Sequence, residues 1–115
     1  MNSRRKGATF ELYVSAKLRA VWPSACRGLG QARGGAEAAD VDGTPYWVQT
    51  KHGARPNIAE AMRQAVKDAA AARDDRPPLA ITRANGANVL CTMRLSDWRN
   101  LAVYESQRPA MQAAA

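Results

Sequence analysis

The stretch Ala39–Gly53, ADVDGTPYWVQTKHG, decides how this chain folds. Gly43-Thr44-Pro45 is turn chemistry, and the runs on either side read as two short antiparallel strands. Side chains alternate along a strand, so Trp47, Gln49 and Lys51 share one face of the second strand, with Tyr46, Val48 and Thr50 on the other. Antiparallel partners have residue numbers of constant sum. An even loop makes that sum odd and puts Asp40 on the face of Gln49 and Lys51. An odd loop, or a bulge, sends it to the opposite face. A carboxylate, an amide and an ammonium on a strand pair that should bury apolar groups mark it as a candidate site. The purely structural alternative is a surface Asp40–Lys51 ion pair beside an exposed Gln49.

Outward from this pair, residues 7–22 read as a helix, with Phe10, Tyr13, Val14, Leu18 and Val21 at three- and four-residue spacing and Pro23 as its stop. Cys26 to Leu29 reads as a short strand, followed by a Gly/Arg-rich loop that runs to Asp40. Asn57 caps a second helix from Ile58 to Ala72, with Ile58, Ala61, Met62, Ala65, Val66 and Ala69 on its inner face. RDDRPP is a polar turn, and Asn85-Gly86 between two apolar runs predicts a hairpin. Ser96 is expected to cap a last helix with Leu95, Trp98, Leu101 and Ala102 facing inward. The predicted order is α-β-β-β-α-β-β-α. A helix between the third and fourth strands implies a parallel or mixed crossover, hence an α/β fold with a mixed central sheet flanked by helices. Residues 1–105 form one domain and 106–115 a tail.

The chain has 115 residues and a net charge of +7. The excess is concentrated early: Arg4, Arg5, Lys6, Lys17, Arg19, Arg27 and Arg33 stand against Glu11 alone within the first 35 residues. Such a bias is the electrostatic footprint of a polyanion, usually nucleic acid, though a solubilising surface has the same composition. No Lys/Arg helix with aromatic anchors points to a membrane surface. Two cysteines, Cys26 and Cys91, and one histidine, His52, lack the spacing of a structural zinc site. No apolar run approaches a membrane span, and MNSRRKGATFE lacks the apolar core of a signal peptide, so an intracellular, cytoplasmic protein is expected. The glycines at 28, 30 and 34 miss the dinucleotide-binding spacing by one residue, which leaves a basic loop whose Arg27 and Arg33 can touch phosphates. Arg4, Arg5 and Lys6 form a candidate arm on a DNA backbone. Arg55 and Arg63 would extend the phosphate track.

An aspartate, a turn, then an acid-or-amide and a lysine two apart on the next strand resembles the PD-(D/E)XK nuclease superfamily. The element order resembles its restriction-endonuclease-like core. Within it the chain is most similar to the small archaeal and phage Holliday-junction resolvases, short basic domains with a glutamate in the first helix. The resemblance spans roughly Arg4 to Leu101 and places the motif on Glu11, Asp40, Gln49 and Lys51. It implies a metal-dependent DNA endonuclease that cuts four-way junctions as a homodimer. Mg²⁺, or Mn²⁺ in its place, would be held by Asp40, Gln49, the Thr50 carbonyl and Glu11, with Lys51 positioning water. One departure is Gln49, where an acid is usual; an amide oxygen can bind the ion but brings no charge. Virus-type replication-repair nucleases resemble this chain in that respect. A non-catalytic DNA-binding homologue and a Glu-to-Gln change are the other readings. Asp42 is the reserve metal ligand, and Gln64 can point from the second helix toward the site.

Overall fold

A computed structural model describes residues 3–28 and 38–108, without the side chains of 3–5. Three helices, α1 (Ser3–Leu18), α2 (Ile58–Ala71) and α3 (Leu95–Ser106), surround five strands, β1 (Cys26–Arg27), β2 (Val41–Asp42), β3 (Trp47–Gly53), β4 (Pro78–Ala84) and β5 (Leu90–Thr92). The strands form one mixed sheet in the order β1-β2-β3-β4-β5. Neighbours pair antiparallel except β3 and β4, which run parallel because α2 carries the chain back between them. This is the predicted element order and the predicted crossover.

Two cores flank the sheet. Phe10 and Val14 of α1 pack on Val41, Val48, Leu79 and Ile81 on one face. On the other, Ala65 and Ala69 of α2 press on Trp47 and Ala39, their small side chains bringing the helix close to the strands. Asn57 caps α2 as its position predicts, its Oδ1 accepting the Glu60 N–H at 2.9 Å. The Ala84–Ala87 turn around Asn85-Gly86 closes the β4–β5 hairpin, with Gly86 at φ +72°.

The ends of the predicted helices need correction. α1 stops at Leu18, four residues short of the expected end: the Val21 and Trp22 N–H groups both donate to the Leu18 carbonyl, and Arg19 Nη1 donates to the Ala25 carbonyl to hold the reversal. Val21 is therefore exposed rather than inward, and so is Tyr13. At α3 the N-cap is Arg94, not Ser96, and the helix buries no residue at all. Leu95, Trp98 and Leu101 were expected in the core, yet they face outward. Leu29, Arg33 and most of the basic loop lie outside the described residues, as does the tail from 109.

Candidate active site

Of the two registers the sequence leaves open, β2 on β3 takes the one with an odd sum, with Val41 opposite Val48. One residue upstream, however, the Asp40 N–H donates to the same Val48 carbonyl at 2.8 Å. Two residues of one strand thus oppose one of the other, the arrangement of a β-bulge, in which both side chains lean to the same side. Val41 packs against Phe10 and Val48 below α1, and Asp40, which meets Glu11 of α1 and the Thr50 hydroxyl, is on the same side.

That bulge corrects the expected convergence: Asp40, Gln49 and Lys51 do not share one face. The Asp40 carboxylate accepts from the Thr50 N–H (2.8 Å) and from the Thr50 hydroxyl (3.2 Å), so it replaces the backbone partner that β2 no longer offers. It also contacts the Glu11 carboxyl on α1. Glu11 in turn accepts from Arg27 Nε of β1 at 2.7 Å. The site on this side is therefore Glu11 of α1, Arg27 of β1, Thr50 of β3 and Asp40, the residue just before β2.

Gly28 makes the bulge possible. Its N–H donates to the Asp40 carbonyl at 2.8 Å, and a Cβ there would lie 2.0 Å from the Ala39 carbonyl oxygen. Gly43, at φ +79° and pressed on the Ser24 carbonyl, is the other position only glycine fits, closing the β2–β3 turn.

A carboxyl this buried, with a second acid beside it, resists ionisation. Burial, with the Glu11 charge adding to it, pushes the Asp40 carboxyl up from 3.8 to about 6 against the Thr50 hydrogen bonds, which pull it down. Backbone polar groups alternate along a strand, and the Thr50 N–H points toward β2, so its carbonyl lies along the same edge. A small hard cation that takes one or two carboxylates and several waters fits this donor set. Asp40 and Glu11 would supply the carboxylates and Thr50 the carbonyl. Among the described residues no three acids, histidines or cysteines cluster, so it is a two-acid site.

Gln49 and Lys51 flank Thr50 and hang from the opposite face. With Asn57, Glu60, Ala61 and Gln64 they line a pocket of about 320 Å³ under α2. Gln64 thus reaches Gln49 and Lys51 rather than the carboxylates. Its Nε2 donates to Asp68 at 2.8 Å. Gln49 Oε1 is buried without a hydrogen-bond partner, as are Trp47 Nε1 and Thr82 Oγ1 on the same face. Lys51 is exposed and makes no ion pair among the described residues.

The remaining candidates are dispersed. Asp42 turns to the α2 side and acts on Arg76, away from Glu11. His52 lies against the Phe10 ring at 5.0 Å, and its burial, with Lys6 and Arg83 nearby, lowers its affinity for a proton. Lys6 Nζ donates to Asn85 Oδ1 at 2.9 Å. Arg55 is exposed, and Arg63 is exposed but paired with Glu60. The backbone of Arg4 and Arg5 lies in the first turn of α1. No helix among the described residues is long and apolar enough to cross a membrane. No family model, curated protein or solved structure matches the chain.

Proposed function

We propose that the protein is a metal-dependent DNA endonuclease of the restriction-endonuclease-like kind, acting on branched DNA such as a four-way junction. The observation that carries this reading is the buried Glu11–Asp40 pair. Two acids are in contact at a break in the sheet, Asp40 held by Thr50 and Glu11 by Arg27, in a chain of net charge +7. Repulsion between such groups costs stability, and a bound divalent cation relieves it. A bound Mg²⁺ or Mn²⁺ would supply Lewis acidity toward a phosphate oxygen and lower the pKa of water.

The chain's own residues then divide the work. Asp40 and Glu11 hold the ion with the Thr50 carbonyl, and the Thr50 N–H and hydroxyl fix the orientation of Asp40. Arg27, half-exposed beside Glu11, meets the DNA backbone. Lys51, which makes no ion pair among the described residues, offers its ammonium to a phosphate reaching across the β3 edge. Gln49 belongs to the pocket under α2, so its missing charge does not weaken the two-acid site.

A second reading, a DNA-binding module without catalysis, draws on the separation of Lys51 from the carboxylates by the thickness of a strand. Incubation of four-way junction, nicked, flapped and plain duplex DNA with the protein and Mn²⁺ separates the two. Junction cutting by the wild type, abolished in Asp40→Asn and reduced at least tenfold in Lys51→Ala, supports the nuclease. Salt-sensitive binding without cutting of any substrate supports the module. Preferential cutting of nicks or flaps supports a replication-repair type of nuclease instead.

A further inference from the structure

Gln49 Oε1 is buried without a hydrogen-bond partner, on a residue that lines the pocket of about 320 Å³ under α2. An orphaned buried acceptor costs stability and calls for a partner. The pocket has two unlike ends. β3 and β4 run parallel, so α2, which joins them, returns along β3 with its first turn toward Lys51 and Gln64 farther in, toward Gln49. At the outer end Lys51 is exposed, Glu60 is engaged by Arg63 at 2.9 Å, and the positive end of the α2 dipole adds to the ammonium. At the inner end Gln64 Nε2 is engaged by Asp68 at 2.8 Å, which leaves its Oε1 as a second acceptor in the same pocket.

We propose that this pocket holds one unpaired nucleotide with an amino-bearing base, adenine above the others, the base edge on Gln49 and the phosphate on Lys51. Simpler occupants fail at one end. A bare phosphate would set oxygen against oxygen at Gln49, and a cation would meet Lys51. The amine and carboxylate of an amino acid lie too close together to serve both residues, whose Cα atoms are two strand positions, roughly 7 Å, apart. A glutamine amide, by contrast, matches the paired donor and acceptor of an adenine edge. The volume is at the small end for pockets that take a single small molecule, and it suits one nucleotide rather than a base pair. The inference rests on the nuclease reading only for the source of the nucleotide, a strand of branched DNA. The two-acid site has no part in it. A free nucleotide has the same chemistry, and the test separates the two sources.

Binding is measured in EDTA, so that no cutting intervenes. By fluorescence anisotropy, a labelled duplex with a single bulged adenine should bind about tenfold tighter than the fully paired duplex, the scale of one two-point contact to a base. A bulged thymine should bind close to the paired duplex. Gln49→Met should abolish the preference without weakening binding of the paired duplex. Its thermal midpoint should be no lower than that of the wild type, since an unpartnered buried oxygen gives way to apolar atoms of similar volume. Binding of dAMP in titration calorimetry, lost in Gln49→Met, with no binding of DNA would support the pocket in its free-nucleotide form and sink the nuclease reading. Equal binding of paired and bulged duplexes, or a preference that survives Gln49→Met, overturns the pocket and leaves the nuclease reading standing. A lowered midpoint in Gln49→Met makes the amide structural and overturns the proposal too. Binding of neither DNA nor dAMP overturns both.

Discussion

Arg27 Nε lies 2.7 Å from Glu11 Oε1 and ties β1 to α1 beside the Asp40 carboxyl. The arginine side chain is 41 % exposed and the glutamate side chain 11 %, so the pair is unequal: one end belongs to solvent, the other to the interior. Removing Arg27 leaves a buried carboxylate without its counter-ion. Arg27→Gln should cost about 1–2 kcal/mol, between the values for exposed and buried pairs. Adding Glu11→Gln to it should recover much of that loss. Denaturant unfolding of the two single variants and the double variant gives the coupling directly, and additive losses would remove the pair from the account.

The pH dependence follows from Asp40. Its carboxyl is pushed up to about 6 in the folded chain, chiefly by burial, from 3.8. The folded state therefore keeps a proton that the unfolded chain releases. That stabilisation is fully present below about pH 3.8 and is lost as pH rises through about 6. Asp40→Asn, which needs no proton to stay neutral, should raise the thermal midpoint at pH 7.5 by about 4 °C or more and change it little at pH 4. A divalent cation competes with the same proton, so Mn²⁺ should stabilise the wild type above pH 6 and lose its effect below. Calorimetric melts at the two pH values, with and without Mn²⁺, check both statements.

Gly28→Ala tests the bulge. The new methyl would meet the Ala39 carbonyl, a backbone atom that cannot swing aside, at 2.0 Å. A loss of about 3 kcal/mol or outright failure to fold is expected, as for other severe steric conflicts. Gly53→Ala is the control, since nothing lies within 4 Å of its added carbon. Equal stability of the two variants would contradict the close approach of Gly28 to Asp40.

The element order was legible because each element carries a local signal: the Asn57 cap, the Asn85-Gly86 turn, and the alternation through Trp47 and Gln49. The register sum was not, since it turns on a loop length that the sequence leaves open. The bulge was not. It arises when Gly28, across a loop, hydrogen-bonds the Asp40 carbonyl, and no spacing within residues 39–53 reports that contact. α3 misled differently. Leu95, Trp98 and Leu101 recur at helical spacing whether the covering surface lies in the same chain or in another.

Gln49→Glu separates the one-face arrangement from the bulged one. With Asp40, Gln49 and Lys51 around a single ion, a carboxylate at 49 would add a charged ligand and raise cation affinity at least tenfold. In the bulged sheet Gln49 opens into the pocket with Lys51, Glu60 and Gln64, while Asp40 and Glu11 meet on the α1 side. Titration calorimetry with Mn²⁺ should then give an affinity for Gln49→Glu within about threefold of wild type, the residue of a long-range charge effect. Asp40→Asn should lower the affinity at least tenfold, since one of two carboxylates is gone. The new glutamate should instead register at Lys51, as weaker DNA binding with a shallower salt dependence, because it supplies the ammonium with a partner it now lacks. A tenfold gain in Mn²⁺ affinity on Gln49→Glu would restore the single-face site and remove the bulge from the chemistry.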